Sequence, residues 1–186
     1  MNEVEAVTNE DLIITIHTLL KKHGSQDYAD IWKLGINVAF RISDLLSIEK
    51  KHLNLDKREL KLLEKKTNKE RTVRLNNTAM SIIQRRLKEN PNDTYIFQSK
   101  KPDREGKAQP MDRSTVARKF QEIGYIVGIR LGTHSMRKTR GFMMHKAGVS
   151  IEQIARVLNH SSPAVTMAYI GLTQEETLKT YDEFEL

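Results

Sequence analysis

The chain has 186 residues, no cysteine, 38% hydrophobic residues and a formal net charge of +7. No cysteine means no disulfide framework and no thiolate metal site, and no apolar run approaches the roughly 18 residues that a membrane span needs. The opening MNEVEAVTNEDL is acidic where a signal peptide is basic, so a cytoplasmic protein with one ordinary domain over 1–186 is expected. The charge is unevenly spread: residues 1–11 and 173–186 each carry −4, which leaves +15 on the body, 12–172. A basic body between acidic ends is the footprint of a nucleic-acid binder.

In chain order, Asn9 can cap a helix whose Leu12, Ile13, Ile16, Leu19 and Leu20 recur at helical spacing, ending near His23-Gly24. A second helix is predicted from Gln26 to Phe40, with Ile31, Leu34 and Val38 inward, and a short turn of helix from Ser43 to Ser47. The helical period is then lost. Glu59–Lys66 and Arg71–Leu75 flank Thr67-Asn68-Lys69-Glu70 and predict a β-hairpin, with a third strand near Ile48–Leu53. Helix returns over Asn77–Glu89 and stops at Asn90-Pro91. Thr94–Gln98 is short and extended, 99–111 reads as an exposed loop, and Asp112 caps a helix to Val127. Thr133 opens a helix to Ala147, Ser150 caps the next, and Pro163 opens another as a first-turn proline. Thr173 to Phe184 reads as a final acidic, amphipathic helix. The expected fold is mainly α with a small three-stranded antiparallel sheet.

Four places carry candidate chemistry. His134 and Arg137 lie three apart on one helix face, in a first turn whose free N–H groups and dipole favour an anion; Lys138 and Arg140 add charge nearby. The same residues also fit a surface helix with scattered basic side chains. Leu158-Asn159-His160-Ser161-Ser162 stands nine residues before Tyr169, counted from His160, so an imidazole and a phenol could converge. Ser150 to Tyr169 reads equally as a DNA-binding helix-turn-helix. Arg41 precedes apolar Ile42, Leu45 and Leu46, so its guanidinium needs an anionic partner. Asp44, one turn on, can supply it, either as a structural pair or as the support of an arginine that binds phosphate. Lys66 starts the hairpin turn, where a lysine is ordinarily just solvated.

Together these pieces resemble the tyrosine recombinase (phage integrase) family from about Asn9 to Gly171. Phe40-Arg41-Ile42-Ser43-Asp44-Leu45-Leu46-Ser47 is similar to its first arginine box, and Lys66-Thr67-Asn68-Lys69-Glu70-Arg71 to its lysine hairpin. Thr133-His134-Ser135-Met136-Arg137-Lys138-Thr139 resembles its His-x-x-Arg box, and Leu158-Asn159-His160-Ser161-Ser162 through Tyr169 its final box. The helix-turn-helix reading predicts nothing about Arg41 or Lys66. Two departures stand out: Phe40, before the first arginine, and Asn159 occupy places where the family often has glycine, which touches local backbone shape rather than a reactive group.

The resemblance implies an enzyme that cleaves and rejoins double-stranded DNA by transesterification, in integration, excision or inversion, with no metal, ATP or other cofactor. Tyr169 would be the nucleophile, Arg41 and Arg137 the phosphate clamp, His160 a further donor, His134 the proton acceptor and Lys66 the general acid. Asp44 would orient Arg41, and Lys65, Lys69, Arg71, Lys138 and Arg140 would contact DNA. Four protomers on two duplexes, a C-terminal helix 173–186 docking in trans and accessory DNA-bending proteins are further expectations. The N-terminal core-binding domain that most such enzymes carry is not among these residues. Two other readings remain open at this point: a non-catalytic DNA-binding regulator with the same fold, and a relaxing topoisomerase of the type IB kind.

Overall fold

A computed structural model of the chain describes residues 4–171. The acidic helix expected over 173–186, with its docking in trans, lies outside them. The described residues form eight α-helices and one sheet. α1 (Glu10–His23) begins where the Asn9 side chain accepts from the Asp11 and Leu12 amides; its acids lie in the first turn and Lys21, Lys22 and His23 in the last, each sign at the pole that stabilises it. α2 (Gln26–Val38) buries Ile31, Trp32, Leu34 and Val38, and Trp32 meets Phe120 edge to face at 5.7 Å. The helix stops two residues before the expected Phe40. Ala39 turns left-handed at φ 53°, which drives Phe40 fully into the core and starts α3 (Ile42–Leu46) directly after Arg41.

The sheet is three-stranded and antiparallel, in the order β1-β2-β3. β2 (Glu59–Glu64) and β3 (Lys69–Arg74) pair from Glu59↔Arg74 to Glu64↔Lys69, so the hairpin tip is Lys65 to Asn68. Alternate β2 positions face inward: Leu60, Leu62 and Glu64 are buried, as the two-residue period of a strand requires. The third strand is shorter than Ile48–Leu53. Lys50–His52 forms a 3-10 turn instead, closed by the His52 ring on the Glu49 amide (3.0 Å), and only Leu53–Asn54 pairs as β1. Three polar residues in a row offer no alternating face to bury.

α4 (Asn77–Glu89) keeps its predicted bounds, capped by Asn76. Its buried Arg86 bonds Asp27 at 2.6 Å and the Ile96 carbonyl at 2.7 Å, tying α4 to α2. α5 (Arg113–Val127) starts on Asp112 and ends at Gly128, which is left-handed at φ 73°. α6 (Ser135–Lys146) begins later than a Thr133 start: His134 occupies the cap position in helical geometry, and Ser135 uses its hydroxyl to accept from the Gly132 amide. α7 (Ile151–Leu158) is capped by Ser150, and α8 (Pro163–Ile170) by Ser162 with Pro163 in its first turn.

One core unites α1 to α6 and the sheet. A second, smaller cluster of Ala39, Ile154, Leu158 and Ile170 holds α7 and α8, with Tyr169 packed at its edge. α8 can seat on α6 because Gly141 has no side chain: a Cβ there would lie 2.6 Å from the Ile170 side chain. Among the described residues, no helix is long and apolar enough to cross a membrane.

Candidate active site

Two helices end facing the same spot. α2 ends at Ala39 (φ 53°) and α7 at Asn159 (φ 50°), both left-handed. Such ends leave carbonyl oxygens without helical partners and carry the negative pole of the helix dipole. Here those oxygens hold two guanidiniums. Arg137 donates Nη1 to the Ala39 carbonyl and Nη2 to the Leu158 carbonyl. Arg71 donates to the Ala39 carbonyl (3.1 Å), the Val38 carbonyl (3.2 Å) and the Val157 carbonyl, and stacks over the Phe40 ring at 4.6 Å. Arg137 is buried and Arg71 half-buried, and burial draws each pKa down from the usual arginine value.

Beside Arg71 sits Glu64, fully buried on the inward face of β2. Its Oε2 accepts from Arg41 Nη1 (2.9 Å), Asn159 Nδ2 (2.5 Å) and the Thr67 hydroxyl (3.1 Å), and its Oε1 from Arg71 (3.1 Å). Burial pushes the Glu64 pKa up, but the hydrogen bonds from Asn159 and Arg71 outweigh it and hold the carboxyl below its ordinary range.

An open cleft of about 340 Å³ lies above this layer, and Arg41, Lys66, His134, Arg137, His160 and Tyr169 all line it. The six candidate catalytic residues, scattered over 129 positions of sequence, thus share one cavity. The Tyr169 hydroxyl is 3.2 Å from His134 Nδ1. The His160 ring meets the Tyr169 ring edge to face, with centroids 4.7 Å apart, and its Nδ1 lies 3.0 Å from the buried Thr166 hydroxyl. Lys138 Nζ stands 5.3 Å from the Tyr169 ring centroid. Burial, then Arg137 and Arg41, push His160 down to about 4. Partial burial of the ring and the cations Arg137, Arg41, Lys66 and Lys138 lower His134 as well. Both imidazoles are therefore neutral at pH 7.

Several expectations change. Asp44 does not pair with Arg41; it is buried beneath the hairpin, and its Oδ1 accepts from the Lys65 amide at 3.0 Å. Glu64 takes the arginine instead, because β2 passes closer to the guanidinium than the next turn of α3 does. Lys65 and Lys69 are exposed on the hairpin. Lys138 is buried, and Arg71 and Arg140 are half-buried, since β3 and α6 turn those side chains toward α2, α7 and α8. Of the two places where the family often has glycine, Asn159 is left-handed (φ 50°), whereas near Arg41 it is Ala39 (φ 53°), one position before Phe40, that takes this conformation. Glu64 and Thr166 were not singled out in the sequence. The signal for Glu64 was there: it continues the inward register Leu60, Leu62.

A profile of the phage integrase family matches residues 6–176. The probable integrase/recombinase YoeC of Bacillus subtilis is 30% identical over 185 residues, covering 99% of this chain and 98% of that protein. The tyrosine recombinase XerA of Pyrococcus horikoshii is 26% identical over 147 residues, 78% of this chain and 50% of its own length. Among solved structures, XerA recombinase aligns with TM-score 0.73 at 17% identity, over 98% of this chain and 65% of that chain. The Tn1549 transposon integrase, in complex with transposon right-end DNA, aligns with TM-score 0.75 at 16% identity, over 98% and 66%. The fold is that of a tyrosine recombinase catalytic domain. The chain belongs to the phage integrase family, whose members recombine and integrate DNA. It spans nearly all of the Bacillus protein but about half of XerA.

Proposed function

We propose that this chain is a DNA strand transferase that cuts and rejoins duplex DNA through Tyr169. The phenol oxygen attacks a phosphodiester phosphorus, the bond to the 5′-oxygen breaks, and a 3′-phosphotyrosine remains. A 5′-hydroxyl of a partner strand then attacks the phosphotyrosine and releases the phenol. Each step exchanges one phosphoester for another, so the bond energy is conserved without ATP.

The observation that carries this reading is the phenol, two imidazoles, two guanidiniums and a lysine around one cleft. Charge builds on the non-bridging oxygens in the transition state, and guanidiniums neutralise it at any working pH. Arg137 uses one N–H of each terminal nitrogen on carbonyls and is also hydrogen-bonded to Tyr169, and Arg41 uses Nη1 on Glu64; the N–H groups that face the cleft serve the phosphate as it meets the phenol. With two such cations the clamp needs no metal. The Thr166 hydroxyl has a single proton, and its contact to His160 Nδ1 (3.0 Å) is shorter than that to the Ser162 carbonyl (3.4 Å). Donation to Nδ1 leaves the His160 proton on Nε2, free for a phosphate oxygen. Neutral His134, in contact with the phenol, accepts its proton. Lys66, on the exposed hairpin tip, protonates the leaving 5′-oxygen.

Lys65 and Lys69 beside it grip the DNA backbone, as does the wider stretch 50–74, which holds ten Lys or Arg against four acids. Two duplexes with two cuts each require four protomers; DNA-bending proteins assist the assembly. A duplex carrying the sequence bound in cells, nicked near the cut so that the freed strand is lost, tests the chemistry. Wild type accumulates a covalent protein–DNA product, whereas Tyr169→Phe binds the duplex and forms none. An adduct in Tyr169→Phe overturns the assignment.

A further inference from the structure

We propose that Glu64 is a positioning residue for Arg41: its buried carboxylate holds this guanidinium at the cleft while no DNA is bound. The proposal rests on the strand-transfer reading above. Three guanidiniums, those of Arg41, Arg71 and Arg137, crowd this layer, and the charges of Arg137 and Arg41 both act on Arg71. Left alone, they repel, and the most exposed of them, Arg41, would swing into solvent. Glu64 opposes this from 0% exposure, bonded to Arg41 on one oxygen and Arg71 on the other.

The carboxylate is itself well engaged. It accepts three hydrogen bonds on Oε2, from Arg41, Asn159 and Thr67, and one on Oε1, from Arg71. At 0% exposure it is out of reach of substrate and touches none of the reacting atoms. Its partners come from four separate parts of the chain: the α2–α3 junction, the hairpin tip, β3 and the end of α7. Arg41 bonds it through Nη1, which leaves Nη2 and Nε for a phosphate, so the guanidinium can hold both at once. Asp44, the nearer acid in sequence, bonds the Lys65 amide instead.

Field and geometry predict opposite signs. If Glu64 acted only through its charge, removing it would leave the cleft more positive and speed attack on the phosphate. If it positions Arg41, removing it slows the reaction, because a displaced donor costs up to roughly 100-fold. Glu64→Gln keeps the volume and removes the charge. The test is single-turnover adduct formation on the nicked duplex, with burst amplitude, DNA Kd and thermal midpoint measured alongside. The proposal expects a rate roughly 10- to 100-fold lower at unchanged amplitude, with Kd within about threefold.

Asn159→Gly removes one donor to Glu64 at a left-handed position that glycine suits. It carries the same test, at about three- to tenfold, should Glu64→Gln not fold. An unchanged or faster rate in the folded variant overturns the proposal, as does a loss confined to amplitude or Kd, which marks a purely structural role. If wild type itself forms no adduct, the strand-transfer reading fails and the proposal with it, an outcome distinct from a defect limited to the variants.

Discussion

Arg137 is held by the carbonyl ends of two helices, and this sets its chemistry apart from that of a surface arginine. A lysine cannot bridge the Ala39 and Leu158 carbonyls and still present a fork to phosphate. Arg137→Lys should therefore slow adduct formation by at least roughly 100-fold while DNA binding changes little; near-normal rates would mean that the fork is dispensable. His160 supplies a pH dependence. Its folded-state pKa of about 4 lies below the ordinary 6.5, so on acidification the unfolded chain takes up the proton first. Its contribution is complete above pH 6.5 and is lost as pH falls from 6.5 toward about 4. Urea midpoints at pH 7.5 and 5 should fall further apart in wild type than in His160→Gln, and equal gaps would argue against a depressed imidazole. At this scale the residues that line the cleft were legible, because each sits in a local motif. The partners of Arg41 were not. Asp44 is close in sequence, but Glu64 arrives from 23 positions away; the two-residue period of β2 marks it as inward-facing but does not say which arginine it meets.

Elements place these side chains, and their ends matter more than their lengths. Ala39 supports Arg71 and Arg137 through one carbonyl, in a backbone region that disfavours branched side chains. Ala39→Val should cost about 1–3 kcal/mol of stability, read from urea unfolding, and slow adduct formation in the folded fraction; a neutral change would mean that the turn tolerates Cβ branching. Gly141→Ala should push Ile170, and with it α8 and Tyr169, away from α6, lowering the adduct rate more than DNA affinity. A wild-type rate would show that α8 absorbs the methyl. The helices were largely readable from caps and period: Asn9, Asn76, Asp112, Ser150 and Pro163 all mark starts. The errors fall where a backbone device interrupts a pattern that otherwise continues. Ala39 stops α2 although Phe40 keeps the apolar period, and the 3-10 turn at Lys50–His52 shortens the first strand.

Across the whole molecule, charge is what the sequence announced and folding redistributed. The basic body is real in composition, yet Arg71, Arg86, Arg137 and Lys138 are turned inward and serve structure or the cleft. On the proposed reading, phosphate contacts come from exposed cations such as Lys65, Lys66 and Lys69. Each neutralised phosphate adds about −0.9 to the slope of log affinity against log salt, so replacing Lys65 and Lys69 with Gln should flatten that slope by about 2. Arg71→Gln should leave it unchanged, and a flattened slope there would put Arg71 back on the DNA.

The central claim is that one phenol receives the DNA strand. Ser161 lines the same cleft and is exposed to it, so a hydroxyl competitor for that role stands within the site. Digesting the trapped protein–DNA product and mapping the nucleotide-bearing peptide by mass spectrometry decides between them. The account predicts a single modified peptide, with the nucleotide joined through its 3′-phosphate to Tyr169. Nucleotide on Ser161, or on any side chain other than Tyr169, would contradict it.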